Sequence, residues 1–122
     1  MYSKKVMKEF NNPKNLGKLE NADAIGEVGN PRCGDQLKVY IKVKDNKIED
    51  IKVETFGCVG AIATSSKATE LVKGKTLEEA LKLTEKEVID SLDGLPAMKI
   101  HCSTLAIKAI RKAIEKYKEK NK

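Results

Sequence analysis

Tryptophan is absent, and two phenylalanines and three tyrosines are the only aromatic residues among 122. None of them forms a set interleaved with the lysines, which removes the stacking platform that single-stranded nucleic acid uses. No apolar run approaches the roughly 20 residues of a membrane span, and the opening stretch MYSKKVMKEF lacks the apolar core of a secretory signal. The expectation from these absences is a cytoplasmic protein with no membrane partner. Cysteine is scarce and odd in number. Cys33, Cys58 and Cys102 are 25 and 44 positions apart and match no small disulfide framework. Neither the paired CxxC of a zinc ribbon nor ferredoxin spacing is present. Free thiols or metal ligands are what remain.

Apolar residues make up 40% of the chain and charged residues 34%, with no low-complexity tract and no internal repeat. That balance belongs to a highly charged globular domain. At this length a single domain over residues 1–122 is expected, burying roughly two thirds of its unfolded surface. The formal net charge is +6, which raises nucleic acid as a partner. Much of the excess lies in the closing RKAIEKYKEKNK, which reads as a solvated helix end. With no base-reading element, no nucleic-acid partner is expected.

Tyr2, Val6 and Phe10 recur at helical spacing and stop at NNPKN, predicting a short first helix. IGEVGN, residues 25–30, reads as a glycine-weakened edge strand ahead of Pro31. Leu37, Val39, Ile41 and Val43 then alternate strictly with Lys38, Tyr40, Lys42 and Lys44, the period of a strand with one wet face. DNK supplies a hairpin turn, and Ile51, Val53 and Thr55 alternate on the way back. Past FGCVG the spacing turns helical through Leu71 to a Gly74 C-cap. Thr76 with Glu79, and Thr84 with Glu87, form two capping boxes that each start a short helix. A last helix beginning near Ile100 or His101 carries an apolar stripe of Leu105, Ala106, Ala109, Ile110, Ala113, Ile114 and Tyr117. Strands first and helices second predict an α+β domain, with helices packed on one face of a small three-stranded antiparallel sheet.

The cysteines sit outside the apolar stripes. Cys33 precedes a strand, Cys58 separates a strand end from a helix start, and Cys102 falls in the first turn of a helix. Free amides and the macrodipole at a helix start favour the thiolate, the form that binds metal and attacks sulfur. Gly57 and Gly60 flank Cys58 and allow close approach of a bulky inorganic group. His101, the one histidine, abuts Cys102, and Asp35 stands two residues beyond Cys33. Three sulfurs with an oxygen or nitrogen candidate for the fourth position satisfy tetrahedral zinc, and equally the four ligands of a [2Fe-2S] cluster. A hard carboxylate or imidazole in that set holds an iron-sulfur cluster less tightly than four thiolates, which suits delivery rather than storage.

Four separated stretches carry a resemblance in chain order. NPKNLG (residues 12–17), GEVGNPRCGDQLKV (26–39), TFGCVGAIATSS (55–66) and LPAMKIHCSTLAIKAI (95–110) resemble the IscU/NifU N-terminal type of iron-sulfur cluster assembly scaffold. The resemblance implies an IscU/SufE-like fold and the role of an assembly scaffold rather than an enzyme. It implies that a cysteine desulfurase of the IscS/NifS type delivers persulfide sulfur, that iron is supplied, and that the finished [2Fe-2S] cluster passes to apo iron-sulfur acceptor proteins. The family's cysteines map onto Cys33, Cys58 and Cys102, its aspartate onto Asp35 and its histidine onto His101. Cys102 is thereby implied as persulfide acceptor, Asp35 as the residue governing cluster lability, and zinc as an alternative occupant of the same site. A homo-oligomer is also compatible with a scaffold of this type. Zinc-dependent SufU-type sulfur acceptors are similar, but carry an insertion before the third cysteine and no histidine beside it. Here 43 residues separate Cys58 from Cys102 and His101 is present, so the IscU type fits better. LPAMK, residues 95–99, departs from the Leu-Pro-Pro-Val-Lys of scaffolds served by a dedicated Hsp70 chaperone, with Ala97 for the second proline and Met98 for the valine, which argues against recognition by such a chaperone although Lys99 is kept.

Overall fold

Alternation becomes sheet in the first half of the chain. The structure, a computed structural model, describes residues 3–30, 35–55, 59–94 and 100–120, with the backbone alone at 30, 35, 59, 60 and 100–103. Strands β1 (Ala24–Asn30), β2 (Asp35–Lys44) and β3 (Lys47–Thr55) form one antiparallel sheet in the order β1-β2-β3. Asp45 and Asn46 turn β2 into β3 with φ of 54° and 64°, the left-handed pair of a two-residue hairpin loop. The register places Val28, Leu37 and Thr55 in one row, Gly26, Val39 and Val53 in the next, and Ala24, Ile41 and Ile51 in the third. These rows face the helices.

Two details of the sheet depart from strict alternation. A register shift at Lys42/Val43 pairs Lys42 with Asp50 and Val43 with Ile48. Ile48 and Ile51 are both fully buried although three positions apart, because the extra residue of a bulge resets the pleat between them. Tyr40 lies on the outer face in a row with Ile25 and Lys52, yet it is buried, and its hydroxyl donates to Glu54 Oε1. That hydrogen bond to a carboxylate, followed by burial and the negative charges of Glu54 and Glu27, pushes the Tyr40 pKa up to about 12. A raised pKa means that the folded chain holds the proton longer than the unfolded one. The associated stability is complete below pH 10 and drains away as pH rises through 12. A spectrophotometric titration of the folded protein should therefore show one late phenolate near pH 12, which Tyr40→Phe removes together with part of the alkaline loss of stability. A late tyrosine that survives the substitution would contradict the assignment.

The described residues form five helices, α1 (Lys4–Asn11), α2 (Val59–Val72), α3 (Leu77–Leu81), α4 (Glu85–Ser91) and α5 (Ile100–Lys120); α2 and α5 pack on the inner face of the sheet, and α1, α3 and α4 pack against those two. Ser3 caps α1 by accepting from Val6 N, and its hydroxyl donates to Leu92 O at the end of α4. Val6 is the buried residue of α1 and Phe10 is half-buried; Tyr2 lies outside the described residues. The Thr76 capping box is complete, and the Thr76 backbone N–H and hydroxyl hold the Glu79 carboxyl below its usual range. At α4 the Thr84 hydroxyl accepts from Glu87 N and donates to the Glu87 carboxylate, so only half of the reciprocal pattern forms.

α2 is the central helix. Ala61, Ala63, Thr64, Ser65, Ser66, Ala68, Thr69 and Val72 are all buried, so it is enclosed on nearly every side rather than lying on the surface. Small side chains permit that, since each neighbour can come close. α5 follows its expected stripe, with Ile107 joining the core as well. α5 packs directly on β1, where Gly26 leaves the room for it: a Cβ there would stand 2.5 Å from Ala113 N and closer still to Ala109 O. None of the helices among the described residues is long and apolar enough to cross a membrane.

Candidate functional site

The hairpin turn marks one end of the sheet, and α3 is tied to it. Leu77 N donates to Asn46 O at 3.1 Å and Asn46 Nδ2 donates to Glu78 Oε2 at 2.8 Å. A backbone N–H, and after it that hydrogen bond, hold the Glu78 carboxyl below the usual carboxylate range, with a smaller contribution from the charge of Lys118 near the C-terminus of α5, a helix that packs on α3. The last turns of α5 therefore lie at the turn end. Ala109 and Ala113 cross Gly26, whose partner on β2 is Val39. From Ala109 back to Ile100 is about 14 Å of helix, and from Val39 back to Asp35 about 13 Å of strand. The first turn of α5 thus falls at the opposite end, where β2 starts, β3 stops at Thr55 and α2 starts at Val59.

Three of the five expected residues have described backbone. Asp35 opens β2 opposite Asn30, and His101 and Cys102 stand in the first turn of α5. Cys33 and Cys58 lie outside the described residues, as do residues 95–99 with the LPAMK stretch. In the chain, Cys33 falls between the paired residues Asn30 and Asp35, and Cys58 directly precedes α2. The described element ends that flank these residues in the chain, the end of β1, the start of β2, the end of β3 and the starts of α2 and α5, lie at one end of the sheet. Among the described residues no group of three or more His, Cys, Asp and Glu side chains gathers elsewhere to offer a competing metal site.

Two helix starts, those of α2 and α5, lie at that end, where the positive ends of the helix dipoles favour an anion. The whole of residues 1–122 matches the family model described as the NifU-like N terminal domain. This chain belongs to that family. Among curated relatives, the iron-sulfur cluster assembly scaffold protein IscU 1 of Archaeoglobus fulgidus is 62% identical over 121 residues, covering 99% of this chain and 79% of that one. The scaffold protein IscU of Aquifex aeolicus is 48% identical over 118 residues, covering 95% of this chain and 75% of its own. Among solved structures, a protein of Fervidobacterium islandicum described as a cluster assembly scaffold for the SUF system superposes with a TM-score of 0.77. It is 29% identical and is covered over 96% of its length, against 93% of this chain. The α+β fold with a three-stranded antiparallel sheet is the fold of these NifU-like proteins.

Sequence reading did not anticipate the polar seam along α2. Ser66 Oγ accepts from Lys14 N at 2.7 Å and donates to Glu9 Oε2 at 2.6 Å. Lys67 Nζ stands 3.9 Å from the other oxygen of the same carboxylate, which is only 13% exposed. Asn15 Nδ2 donates to Thr69 Oγ1 at 3.0 Å. The signal was present as NPKNLG, but nothing local in it reveals that its partners lie more than fifty positions away.

Proposed function

We propose that this NifU-like domain is a scaffold on which a [2Fe-2S] cluster is assembled and from which it is released to apo iron-sulfur proteins. The observation that supports the reading is that β1 and β3 end, and β2, α2 and α5 start, at one end of the sheet. In this family those segments correspond to the stretches around Cys33, Cys58 and Cys102. Cys33, Cys58 and Cys102 supply three soft thiolates, and Asp35 or His101 supplies the harder fourth donor, a set that fits iron-sulfur or zinc. The relatives are named as cluster assembly scaffolds, not as catalytic enzymes, which supports the same reading.

Sulfur enters at Cys102. Its thiolate attacks the outer sulfur of a persulfide on a cysteine desulfurase of the IscS/NifS type; the desulfurase S–S bond breaks, its cysteine leaves as thiolate, and a persulfide forms on Cys102. Each transferred sulfur needs two electrons to become sulfide. Ferrous iron supplies half of them as it is oxidised, and a thiol reductant supplies the rest. The position of Cys102 in the first turn of α5 favours the attacking thiolate. The cytoplasm, where thiols stay reduced, is the compartment that suits this chemistry.

The test is anaerobic reconstitution of the full chain with ferric iron, sulfide and thiol, which together supply the cluster at its oxidised level. A visible band of a [2Fe-2S] cluster and its movement into an apo-ferredoxin are expected. Failure of both under strict anoxia would sink the scaffold reading. The likeness to the SUF-system protein favours one second reading, a zinc-dependent sulfur acceptor. Tightly held zinc, persulfide on Cys102 and no cluster under the same conditions would select it.

A further inference from the structure

NPKNLG, residues 12–17, is the one resemblance-bearing stretch to which the cluster chemistry gives no task. Its backbone runs along the edge of β3 that β2 leaves free. Val53 N donates to Asn15 O at 2.8 Å and Gly17 N donates to Val53 O at 2.9 Å, a parallel bridge centred on Leu16. Its other side meets α2, through Lys14 N on Ser66 Oγ and Asn15 Nδ2 on Thr69 Oγ1. Asn15 reaches both elements, its carbonyl on β3 and its side chain on α2. Its φ of 56° lies in the left-handed region that asparagine tolerates, and this backbone conformation accompanies the two-sided reach.

α2 needs such a tie. The side chains it buries are alanine, serine, threonine and a valine, a smooth surface with few knobs to lock its slide along the sheet. Apolar burial is non-directional, whereas hydrogen bonds to buried hydroxyls fix a register. Thr69 and Ser66 are 1% and 0% exposed, so these bonds are made out of water.

We propose that Asn15 is a positioning residue. It braces α2 against β3, and thereby sets how the end of β3 at Thr55 stands to the start of α2 at Val59, the two described ends between which Cys58 falls in the chain. The inference rests on the reading of Cys58 as a ligand.

The test uses Co2+ as the probe, titrated anaerobically into the reduced full-length chain and followed by the thiolate-to-cobalt charge-transfer band. Asn15→Gly keeps the left-handed backbone and the carbonyl bond while deleting the amide, and Thr69→Val deletes its acceptor with little change of shape. Each is expected to weaken cobalt binding about tenfold and to alter the band, the size of effect seen for groups that orient ligands from behind. The double variant should be no weaker than Thr69→Val alone, since that substitution already removes the Asn15 bond, together with the Thr69 hydroxyl's own donation to Ser66 O. Ile48→Val, at the far end of β3, removes comparable stability and should leave cobalt affinity unchanged. Unchanged affinity in both brace variants, additive losses, or an equal loss in Ile48→Val would overturn the brace. A wild-type chain that forms no thiolate-cobalt band would overturn the site reading itself, and the brace with it.

Discussion

Gly26→Ala is expected to destabilise the domain by about 3–4 kcal/mol, at or beyond the top of the range for an overpacked core. The added Cβ would meet backbone on two sides, Ala113 N at 2.5 Å and Ala109 O closer still, with Ala113 Cα at 3.1 Å. Side chains can rotate away from a clash, but the backbone of a buried helix cannot. Ala109 and Ala113 are fully buried, so relief requires α5 to lift as a unit off β1. Against this, alanine gains only about 0.5–1 kcal/mol over glycine from backbone entropy and strand preference, so the steric term wins. For a domain whose total stability is of order 5–15 kcal/mol, that is a large share. Urea unfolding should show the loss as a lower midpoint at an unchanged slope. A cost below about 1 kcal/mol would mean that α5 shifts easily, and that the close approach does not fix the helix bearing His101 and Cys102.

Asp35→Ala is expected to lengthen the life of a reconstituted cluster by about tenfold or more, the scale on which groups around a metal tune its retention. Asp35 opens β2 directly after the Cys33 loop, and in the proposed scaffold its carboxylate is the hard donor beside soft thiolates. A carboxylate competes poorly for iron-sulfur chemistry and readily gives way to water or an incoming ligand. With it removed, His101 remains to complete the set. Decay of the visible band under a chelator, compared between wild type and variant, reads the effect. Equal lifetimes would remove the role of Asp35 in release, while leaving assembly itself untouched.

The sheet, the order of elements and most helix limits are legible in the sequence. Leu37, Val39, Ile41 and Val43 point to one face because the pleat has period two. Thr76 and Thr84 start helices because first-turn amides need an acceptor within three residues. Asp45 and Asn46 turn the hairpin because they tolerate positive φ. Each of these depends on neighbours a few positions away. The bulge that buries both Ile48 and Ile51 was not legible, since it is decided by which residues find room under the helices. Nor was the burial of Tyr40, which depends on Glu54 across the strand pair.

The donor types of the site were likewise readable from the chain, because thiol, carboxylate and imidazole declare their chemistry wherever they stand. That the elements flanking them start and stop at one end of the sheet was not, since it depends on α5 running over β1 from that end, where its first turn lies, towards the hairpin turn. Gly26 read as a weak point in a strand, yet in the fold it is the contact that lets α5 come down, a demand made by Ala109 and Ala113 more than eighty positions later. NPKNLG read as a turn that stops a helix; packed in place, Asn15 joins Val53 to Thr69. Local propensity acts over a turn or a pleat and is written in adjacent residues. Close approach, buried hydrogen bonds and the meeting of distant element ends arise only when segments far apart in the chain compete for the same space.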